Sequence, residues 1–316
     1  MPTFRRVDFL CEALESALNQ TFTDFELIVT DNAMSQETVR TVASYGDPRV
    51  RYRHNGSNIG ALRNALAGFR EARGEFVASL HDDDSWEPSF LEQLVPPLQE
   101  DPGLALSFCD HFLMDRCGAL DVEASEENSR LWRRAGLRGG SHTPFAHLAL
   151  VDRSVPIAMA AVLRRSAVNW SDVPDEVGAV YDLWLAYLAS REGHGAYYVP
   201  ERLTRYRVHG GADSASSRHA AENVYAYSRF LSDDRLADLH AELRLEAAPF
   251  LVSQGLDLLR AGQRVAAQRA LWQALRYKPD RRAVGGMALS LIPLAAERWA
   301  SRWGKRWVTR PAHVRA

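Results

Sequence analysis

Short apolar strands alternate with amphipathic helical segments through the first third of this chain, and no other feature restricts its possible folds as strongly. The periodicity predicts helices over residues 10–18, 38–45 and 59–72, and strands over residues 25–30, 50–52 and 75–80. Such alternation is typical of an α/β fold, with a mixed, mainly parallel sheet flanked by helices. Further strands are predicted at residues 104–107 and 157–163. The polar stretch 121–143 between them is typical of a mobile loop over one face.

The pattern changes after a small polar segment at residues 214–217, because the chain beyond it is helical. The sequence therefore predicts two domains, with the sheet in residues 1–217 and helices alone in residues 218–316. Residues 255–279 resemble one tetratricopeptide-type hairpin, but no repeat at a 34-residue period supports an array. We therefore expect a helical cap that packs on the sheet domain.

The composition is that of a folded protein, with 46% hydrophobic and 25% charged residues. A formal net charge of −2 provides no global positive field, which argues against a nucleic-acid partner. The three cysteines are odd in number and lack C-x-x-C spacing, which favours a reducing, cytoplasmic location. No signal-peptide pattern opens the chain, and no apolar run reaches the roughly 18 residues of a membrane-spanning helix.

A cluster of carboxylates follows directly after the strand predicted at residues 75–80. Asp82, Asp83 and Asp84 repel one another, so the cluster needs water, a helix cap or a divalent cation. Pro88 then begins a predicted helix, and the acids could simply cap it. The alternative is a cation site, because ligands of open α/β sheets bind at the carboxyl ends of strands.

Six segments, taken in chain order, resemble the motifs of one enzyme family. They are residues 1–6 (MPTFRR), 17–29 (ALNQTFTDFELIV), 58–64 (NIGALRN), 80–88 (LHDDDSWEP), 180–185 (VYDLWL) and 206–211 (YRVHGG). The set resembles the family 2 glycosyltransferases, which are inverting, metal-dependent enzymes with the GT-A fold. The resemblance covers residues 1–217. It implies transfer of a sugar from a nucleoside-diphosphate sugar to a hydroxyl acceptor.

The resemblance also implies which residues form the site. For nucleotide-sugar binding it implies Pro2, Thr3, Asp31, Gly60, Arg63, Asn64, Asp82 and Asp83. Asp31 would bond the nucleotide base, Gly60 would let the backbone approach the nucleotide, and Arg63 could face the diphosphate. A divalent metal, Mn²⁺ or Mg²⁺, would be held by Asp83, Asp84 and His209. Asp182 would be the catalytic base, although it could instead cap the helix that follows.

Three features depart from the family pattern. His81 stands at the first aspartate of the motif L-D-x-D-D, so the division of the carboxylates between ribose and metal stays open. Tyr181 stands at the glutamate of the motif E-D-x-x-L-W. The family's first strand, which precedes the motif P-T-Y-N-R, is absent because the sequence begins at Met1. Its loss would leave two unpaired sheet edges, so we expect either a start further upstream or a weakly folded chain.

Residues 296–316 combine aromatic and basic side chains. Trp299, Trp303 and Trp307 recur every four residues among arginines and a lysine. On a helix this spacing makes an aromatic stripe beside a cationic face, which suits the headgroup layer of an anionic membrane. Packing of the tryptophans on the helical domain is the alternative. We expect peripheral contact with the inner face of the cell membrane.

Two classes of function remain open. The first is a glycosyltransferase that builds a cell-surface polysaccharide or glycolipid, with a saccharide or lipid-linked acceptor. The second is a non-catalytic binding module, in which His81 and Tyr181 mark a decayed site. A nucleotidyltransferase would need a glycine-rich phosphate loop with a lysine near the first strand, and the sequence has none there. The sequence does not identify the sugar, nucleobase, acceptor or linkage.

Overall fold

A computed structural model describes residues 1–209 and 219–291 of the chain, which divides into two compact units, Met1–Ala212 and Asp213–Ala316. The strands of the first unit are β1 (Pro2–Thr3), β2 (Leu27–Asp31), β3 (Val50–His54), β4 (Phe76–Ala78), β5 (Ser85–Trp86), β6 (Leu104–Met114), β7 (Leu120–Asp121), β8 (Gly140–His142), β9 (Ala161–Arg164) and β10 (Gly195–Arg207). Its helices are α1 (Val7–Leu18), α2 (Gln36–Ser44), α3 (Ala61–Glu71), α4 (Phe90–Glu100), α5 (Val122–Leu131), α6 (Ala146–Leu150), α7 (Ile157–Ala160) and α8 (Tyr181–Ser190).

These strands form two sheets. The smaller has the order β1-β2-β3, and all its pairs are parallel. The larger has the order β4-β9-β6-β10-β5, with β7 on β6 and β8 on β10. Its long central pair β6–β10 is parallel, while β9 and the short strands pair antiparallel. The predicted α/β fold class, with a mixed sheet flanked by helices, is confirmed.

A two-residue strand is present at the amino end, where the sequence predicted that the family's first strand is missing. Pro2 pairs with Thr30 and Thr3 with Asp31, in parallel. The amino group of Met1 donates to the carbonyl of Ile28 at 2.8 Å. The residues of the P-T motif themselves therefore satisfy the backbone groups along this edge of β2.

The predicted mobile loop at residues 121–143 is wrong, because this stretch contains α5 and β8. Asp121 is the N-cap of α5, and its Oδ1 accepts from the amide of Ala124 at 2.9 Å. The face that α5 buries is polar and consists of Ser125, Asn128 and Ser129. Since no apolar stripe marks this helix, hydrophobic periodicity did not reveal it.

The strand predicted at residues 157–163 is wrong in its first half. Ile157–Ala160 is the short helix α7, and only Ala161–Arg164 is extended, as β9. The segment is a continuous apolar run, and such runs fit a buried strand and a buried helical turn equally well.

The described residues of the second unit form α9 (Ala220–Phe230), α10 (His240–Arg260), α11 (Arg264–Tyr277) and α12 (Arg281–Leu291). Its core joins α10, α11 and α12 through Leu251, Leu271 and Ala283. Gly255 lets α10 and α11 pack closely, because a Cβ there would lie 2.7 Å from Cγ of Leu271. Among the described helices of the whole chain, none is both long and apolar enough to cross a membrane.

Candidate active site

The three carboxylates of the acidic cluster lie in the turn that joins β4 to β5. We call residues 81–84 the acidic turn. β4 pairs with β9 and β5 with β10, so the larger sheet holds the turn at both ends. Asp82, Asp83 and Asp84 are all buried, with exposed fractions of 4%, 7% and 1%. Buried carboxylates require hydrogen-bond donors or positive charge to be tolerated, and their surroundings therefore indicate what the turn can bind.

Asp82 connects the acidic turn to the amino end of the chain. Its Oδ2 accepts from Oγ1 of Thr3 at 2.8 Å and from the amide of Phe4 at 3.3 Å. Its Oδ1 accepts from Nη1 of Arg6 at 3.3 Å. Burial and the neighbouring Asp83 raise the pKa of the Asp82 carboxyl, although these bonds oppose the rise. The P-T motif and the acidic turn are therefore parts of one site.

Asp83 lies between two cationic or potentially cationic groups. Nη1 of Arg6 lies 2.6 Å from its Oδ2, and Nε2 of His209 lies 3.0 Å from the same oxygen. The His209 ring packs beside Phe9, with 5.3 Å between ring centroids. The structure thus brings together Asp83 and His209, two of the residues that the family resemblance implies for the metal.

Asp84 has a buried carboxylate oxygen that lacks a hydrogen-bond partner among the described residues. Its Oδ1 accepts from the amide of Arg207 at 2.9 Å, whereas Oδ2 has no such partner. Burial, and next the charge of Asp83, raise the pKa of the Asp84 carboxyl well above its ordinary value. A buried carboxylate oxygen of this kind is costly unless a proton or a cation neutralises it.

His81 and Tyr181, the two residues that depart from the family motifs, contact each other. Nε2 of His81 lies 2.7 Å from Oη of Tyr181, although the residues are 100 positions apart. One ligand atom from each of His81, Asp83 and Asp84 lies within 4.8 Å of the other two. The sequence did not predict His81 as a possible ligand, and its only signal was its place inside the acidic motif.

Arg207 was also missed, although it belongs to the motif at residues 206–211. Its side chain is 2% exposed, and its Nε donates to the carbonyl of Asp83 at 2.8 Å. Its guanidinium carbon lies 4.8 Å from the centroid of the Phe9 ring, and Nη2 bonds Glu12. Arg207 therefore holds the acidic turn in two ways, because its amide donates to the Asp84 carboxylate and its side chain donates to the backbone of Asp83.

Asp182, the predicted base, lies in the first turn of α8 and is partly buried. Its Oδ1 accepts from the amide of Leu183 at 2.8 Å, whereas the N-cap of α8 is Val180, so this contact is not a helix cap. It directly follows Tyr181, whose hydroxyl contacts His81. The first turn of α8 is thereby attached to the acidic turn.

Two other predicted donor-binding residues lie in the framework around β1. Asp31 is buried at the end of β2 and accepts from the amide of Ala33 at 2.7 Å and from Oη of Tyr52 at 2.8 Å. Asn64 is buried in α3, and its Nδ2 donates to the carbonyl of Thr3 at 3.3 Å. Asn64 therefore supports β1 at Thr3, whereas the Asp31 carboxylate joins the turn after β2 to Tyr52 of β3.

Gly60 and Arg63 lie at the start of α3, and both are exposed. Gly60 has φ +87°, a conformation that favours glycine, and no atom lies within 4 Å of the place a Cβ would take. Arg63 is 60% exposed in its side chain and pairs with Asp175, with 3.0 Å between Nε and Oδ1. The structure therefore places the Arg63 guanidinium in a surface ion pair.

Comparison with known protein families gives a match to the first half of the chain. The family described as "Glycosyl transferase family 2" matches residues 1–154. Among curated relatives, GalNAc(5)-diNAcBac-PP-undecaprenol beta-1,3-glucosyltransferase of Campylobacter jejuni is 34% identical over 128 residues, which are 40% of this chain and 40% of that protein. Matched segments cover between 18% and 70% of the lengths of eight curated relatives.

Solved structures share the fold at low sequence identity. S. aureus TarS 1-349 in complex with UDP-GlcNAc has a TM-score of 0.65 at 15% identity, over 96% of this chain and 90% of that one. The mannosyltransferase PcManGT from Pyrobaculum calidifontis, in complex with GDP-Man and Mn²⁺, has a TM-score of 0.57 at 18% identity, over 96% and 82%. At these identities the likeness shows the fold alone. The chain therefore carries a glycosyl transferase family 2 domain, built on the GT-A fold that the sequence predicted.

Proposed function

We propose that this chain is an inverting, metal-dependent glycosyltransferase that moves a sugar from a nucleoside-diphosphate sugar to a hydroxyl group of a saccharide or lipid-linked acceptor. The observation that carries the proposal is made in the acidic turn. There Oδ2 of Asp84 is buried and has no hydrogen-bond partner among the described residues, and it lies beside Asp83 and His81. The family match supports the reaction class. The complexes of two structural neighbours with UDP-GlcNAc and with GDP-Man and Mn²⁺ support the donor class.

The residues of the acidic turn fit a divalent cation. Asp83, Asp84 and His209 would hold it, and His81 is close enough to both carboxylates to add a nitrogen ligand. Mn²⁺ accepts imidazole nitrogen more readily than Mg²⁺, which prefers oxygen. When bound, the cation would offset the negative charge that develops on the leaving diphosphate.

The donor would bind along β1, β2 and the acidic turn, where Thr3, Asp82 and Arg6 form one hydrogen-bonded group. We assign donor binding to Pro2, Thr3, Asp31, Gly60, Arg63, Asn64, Asp82 and Asp83. Arg6 places a guanidinium beside Asp82 and Asp83. Guanidinium groups bind phosphate oxygens, so Arg6 can contact the diphosphate of the donor. Arg63 would have to exchange Asp175 for the diphosphate.

Asp182 would take the proton of the acceptor hydroxyl as that oxygen attacks the anomeric carbon. The bond to the diphosphate breaks on the opposite side, so a single displacement inverts the configuration. The contact between Tyr181 and His81 supports this assignment, because it attaches the first turn of α8 to the acidic turn. General-base assistance requires such fixed placement relative to the reacting atoms.

The acceptor and location are further parts of the proposal. The name of the Campylobacter jejuni relative gives an undecaprenol-linked acceptor, which supports a role in cell-surface polysaccharide or glycolipid synthesis. The proposed peripheral membrane contact is assigned to residues 296–316, which lie outside the described residues. A cytoplasmic location rests on the cysteine pattern alone.

Donor binding and turnover test the proposal together. UDP-, GDP- and dTDP-sugars are presented to the chain with Mn²⁺, with Mg²⁺ or with EDTA, and donor hydrolysis and affinity are measured. We expect one donor to bind and to be consumed only when metal is present. Metal-dependent binding without any turnover, also in the presence of acceptor saccharides, would instead favour the non-catalytic module.

A further inference from the structure

A cleft lies in the first unit, and none of its lining residues belongs to the acidic turn. Its volume is about 590 Å³. β6 and β10 form its floor, and α5 with the turn that follows forms one wall. The aromatic rings of Phe112 and Tyr198 and the ring of Pro200 line it together with charged side chains. A cleft with both aromatic surface and fixed charge is suited to a polar ligand that has a ring face.

The charge of Asp110, at the floor of this cleft, is already balanced. Asp110 is buried and accepts from Nε of Arg134 at 2.7 Å, from the amide of His111 at 2.9 Å and from Oγ of Ser129. Although burial raises the pKa of the Asp110 carboxyl, Arg134 and these bonds bring it below its ordinary value. Asp110 and Arg134 therefore form a matched, buried ion pair.

Arg202 adds a second guanidinium that this pair does not neutralise. Its Nε lies 3.9 Å from Oδ2 of Asp110, beyond hydrogen-bonding distance, and Nη2 donates a long bond of 3.4 Å to Oγ of Ser129. Nε is buried and has no hydrogen-bond partner among the described residues. The guanidinium carbon lies 5.4 Å from the centroid of the Phe112 ring. The Arg202 guanidinium is thus stacked on Phe112 and partly buried, and its Nε–H remains available to donate a hydrogen bond.

The glutamates that line the cleft contact partners other than Arg202. Glu126 lies 3.8 Å from Arg130, and both are more than half exposed. Glu201 accepts from Nε2 of Gln93 at 3.0 Å. Burial, followed by the charge of Arg134, lowers the pKa of His111 to about 3, so its imidazole is neutral at pH 7. Three carboxylates and three arginines line the cleft, so what distinguishes Arg202 is its unpartnered donor at Nε and not an excess of positive charge.

We propose that this cleft binds an anionic saccharide, with its carboxylate or phosphate on the Arg202 guanidinium and a ring face against Phe112 and Tyr198. Guanidinium forks match the oxygens of both anions. The inference rests on the proposed function and specifies its acceptor. Arg207, whose amide donates to Asp84, lies five positions after Arg202 along β10, and strand geometry makes this separation about 16 Å. The cleft therefore binds a part of the acceptor that lies far from the hydroxyl group to which the sugar is transferred.

Ligand-observed NMR titration of the full chain with glucuronate, glucose 6-phosphate and glucose tests the assignment. We expect both anionic sugars to bind at least tenfold more tightly than glucose, and their order to tell carboxylate from phosphate as the preferred anion. Arg202→Gln should reduce both affinities to that of glucose, and Arg202→Lys should restore part of the difference. Arg205→Gln is the matched control, because Arg205 lies on the same strand but pairs with Glu87.

The outcomes separate this inference from the proposed function. Equal affinity for glucose and the anionic sugars, or affinities that Arg202→Gln leaves unchanged, would overturn the cleft assignment even if a nucleotide sugar binds with Mn²⁺. Donor affinity, measured on each variant, should equal that of the unmodified chain because Arg202 lies outside the donor site. Loss of donor affinity in Arg202→Gln, with Arg205→Gln unaffected, would also contradict a separate acceptor cleft.

Discussion

At the scale of single residues, the proposed displacement depends most directly on Asp182. Asp182→Asn keeps the oxygen that accepts from the amide of Leu183 but removes the proton acceptor. We therefore expect turnover to fall about 10²- to 10⁴-fold while donor affinity stays unchanged. Steady-state kinetics and calorimetric donor binding measure the two effects separately. Asp172→Asn, at an exposed carboxylate paired with Arg191, is the control and should keep full turnover. An Asp182→Asn variant that turns over normally would contradict the role.

The contact between His81 and Tyr181 leads to a second prediction. If Nε2–H of His81 donates to Tyr181, the other ring nitrogen is free to bind a metal, as is common for metal-ligating histidines. Tyr181→Phe should then weaken Mn²⁺ binding about tenfold. His81→Asp should shift the preference toward Mg²⁺, because it replaces nitrogen with oxygen. Calorimetric titration of both ions measures these changes.

The control for this pair is Tyr45→Phe, which removes a hydroxyl that donates to the carbonyl of Cys11 at 3.2 Å, away from the acidic turn. Its Mn²⁺ affinity should match that of the unmodified chain. If Tyr181→Phe and His81→Asp both bind Mn²⁺ and Mg²⁺ as the unmodified chain does, His81 is not a ligand.

The order of motifs in the sequence predicted that Asp83 and His209 would lie together, but it did not predict the hydrogen bonds of the site. Asp83 and His209 are indeed 3.0 Å apart. The contact of His81 with Tyr181 joins positions 100 residues apart, and neither residue belongs to the expected pattern. Such a pair has no local signal in one sequence, since only the tertiary fold brings its members together. Arg207 was missed because its side chain bonds Glu12 and the backbone carbonyls of Asp83 and Arg116, which a motif does not specify.

At the scale of elements, the pattern of apolar residues determined which helices and strands could be predicted from the sequence. β2 is fully buried and β6 nearly so, and their apolar runs revealed both strands. α5 escaped because it buries serine and asparagine, whose side chains satisfy Asp110 and Arg134. The strand predicted at residues 157–163 failed because a short apolar run has no period that separates strand from helix. Helices with a polar buried face and short apolar runs are therefore the segments of this chain whose secondary structure could not be predicted from the sequence.

The N-cap of α5 gives a prediction at this scale. Asp121→Ala removes the bond from the amide of Ala124, and such losses typically cost about 1 kcal/mol. We expect the free energy of unfolding to fall by that amount in urea denaturation. Affinity for anionic sugars should also fall, because α5 forms a wall of the Arg202 cleft. Glu127→Ala, at an exposed position of the same helix, should change neither quantity. Equal stability of the two variants would contradict the capping role.

At the scale of the whole molecule, the acidic turn makes folding stability depend on pH and on metal. Burial raises the pKa values of Asp82 and Asp84, so the folded chain favours their protonated forms. This contribution to stability is fully present below the unfolded pKa, near 3.8, and is lost as the pH rises through the folded values. A cation that binds only the folded chain would restore stability where the carboxylates are ionised, by about 2.7 kcal/mol at a concentration 100-fold above its Kd.

We therefore expect Mn²⁺ to raise the Tm of the chain more at pH 7.5 than at pH 5, where protons compete for the same carboxylates, whose pKa values burial raises. Asp84→Asn removes the buried charge, so the metal-free variant should melt at a higher temperature than the unmodified chain at pH 7.5 and should lose most of its response to Mn²⁺. Differential scanning fluorimetry with Mn²⁺ or EDTA at both pH values measures this. Asp175→Asn, at an exposed partner of Arg63, should leave the response intact. A Tm that Mn²⁺ shifts equally at both pH values, or equally in Asp84→Asn, would mean that the ion binds elsewhere, because only a site built from these buried carboxylates couples metal binding to their ionisation.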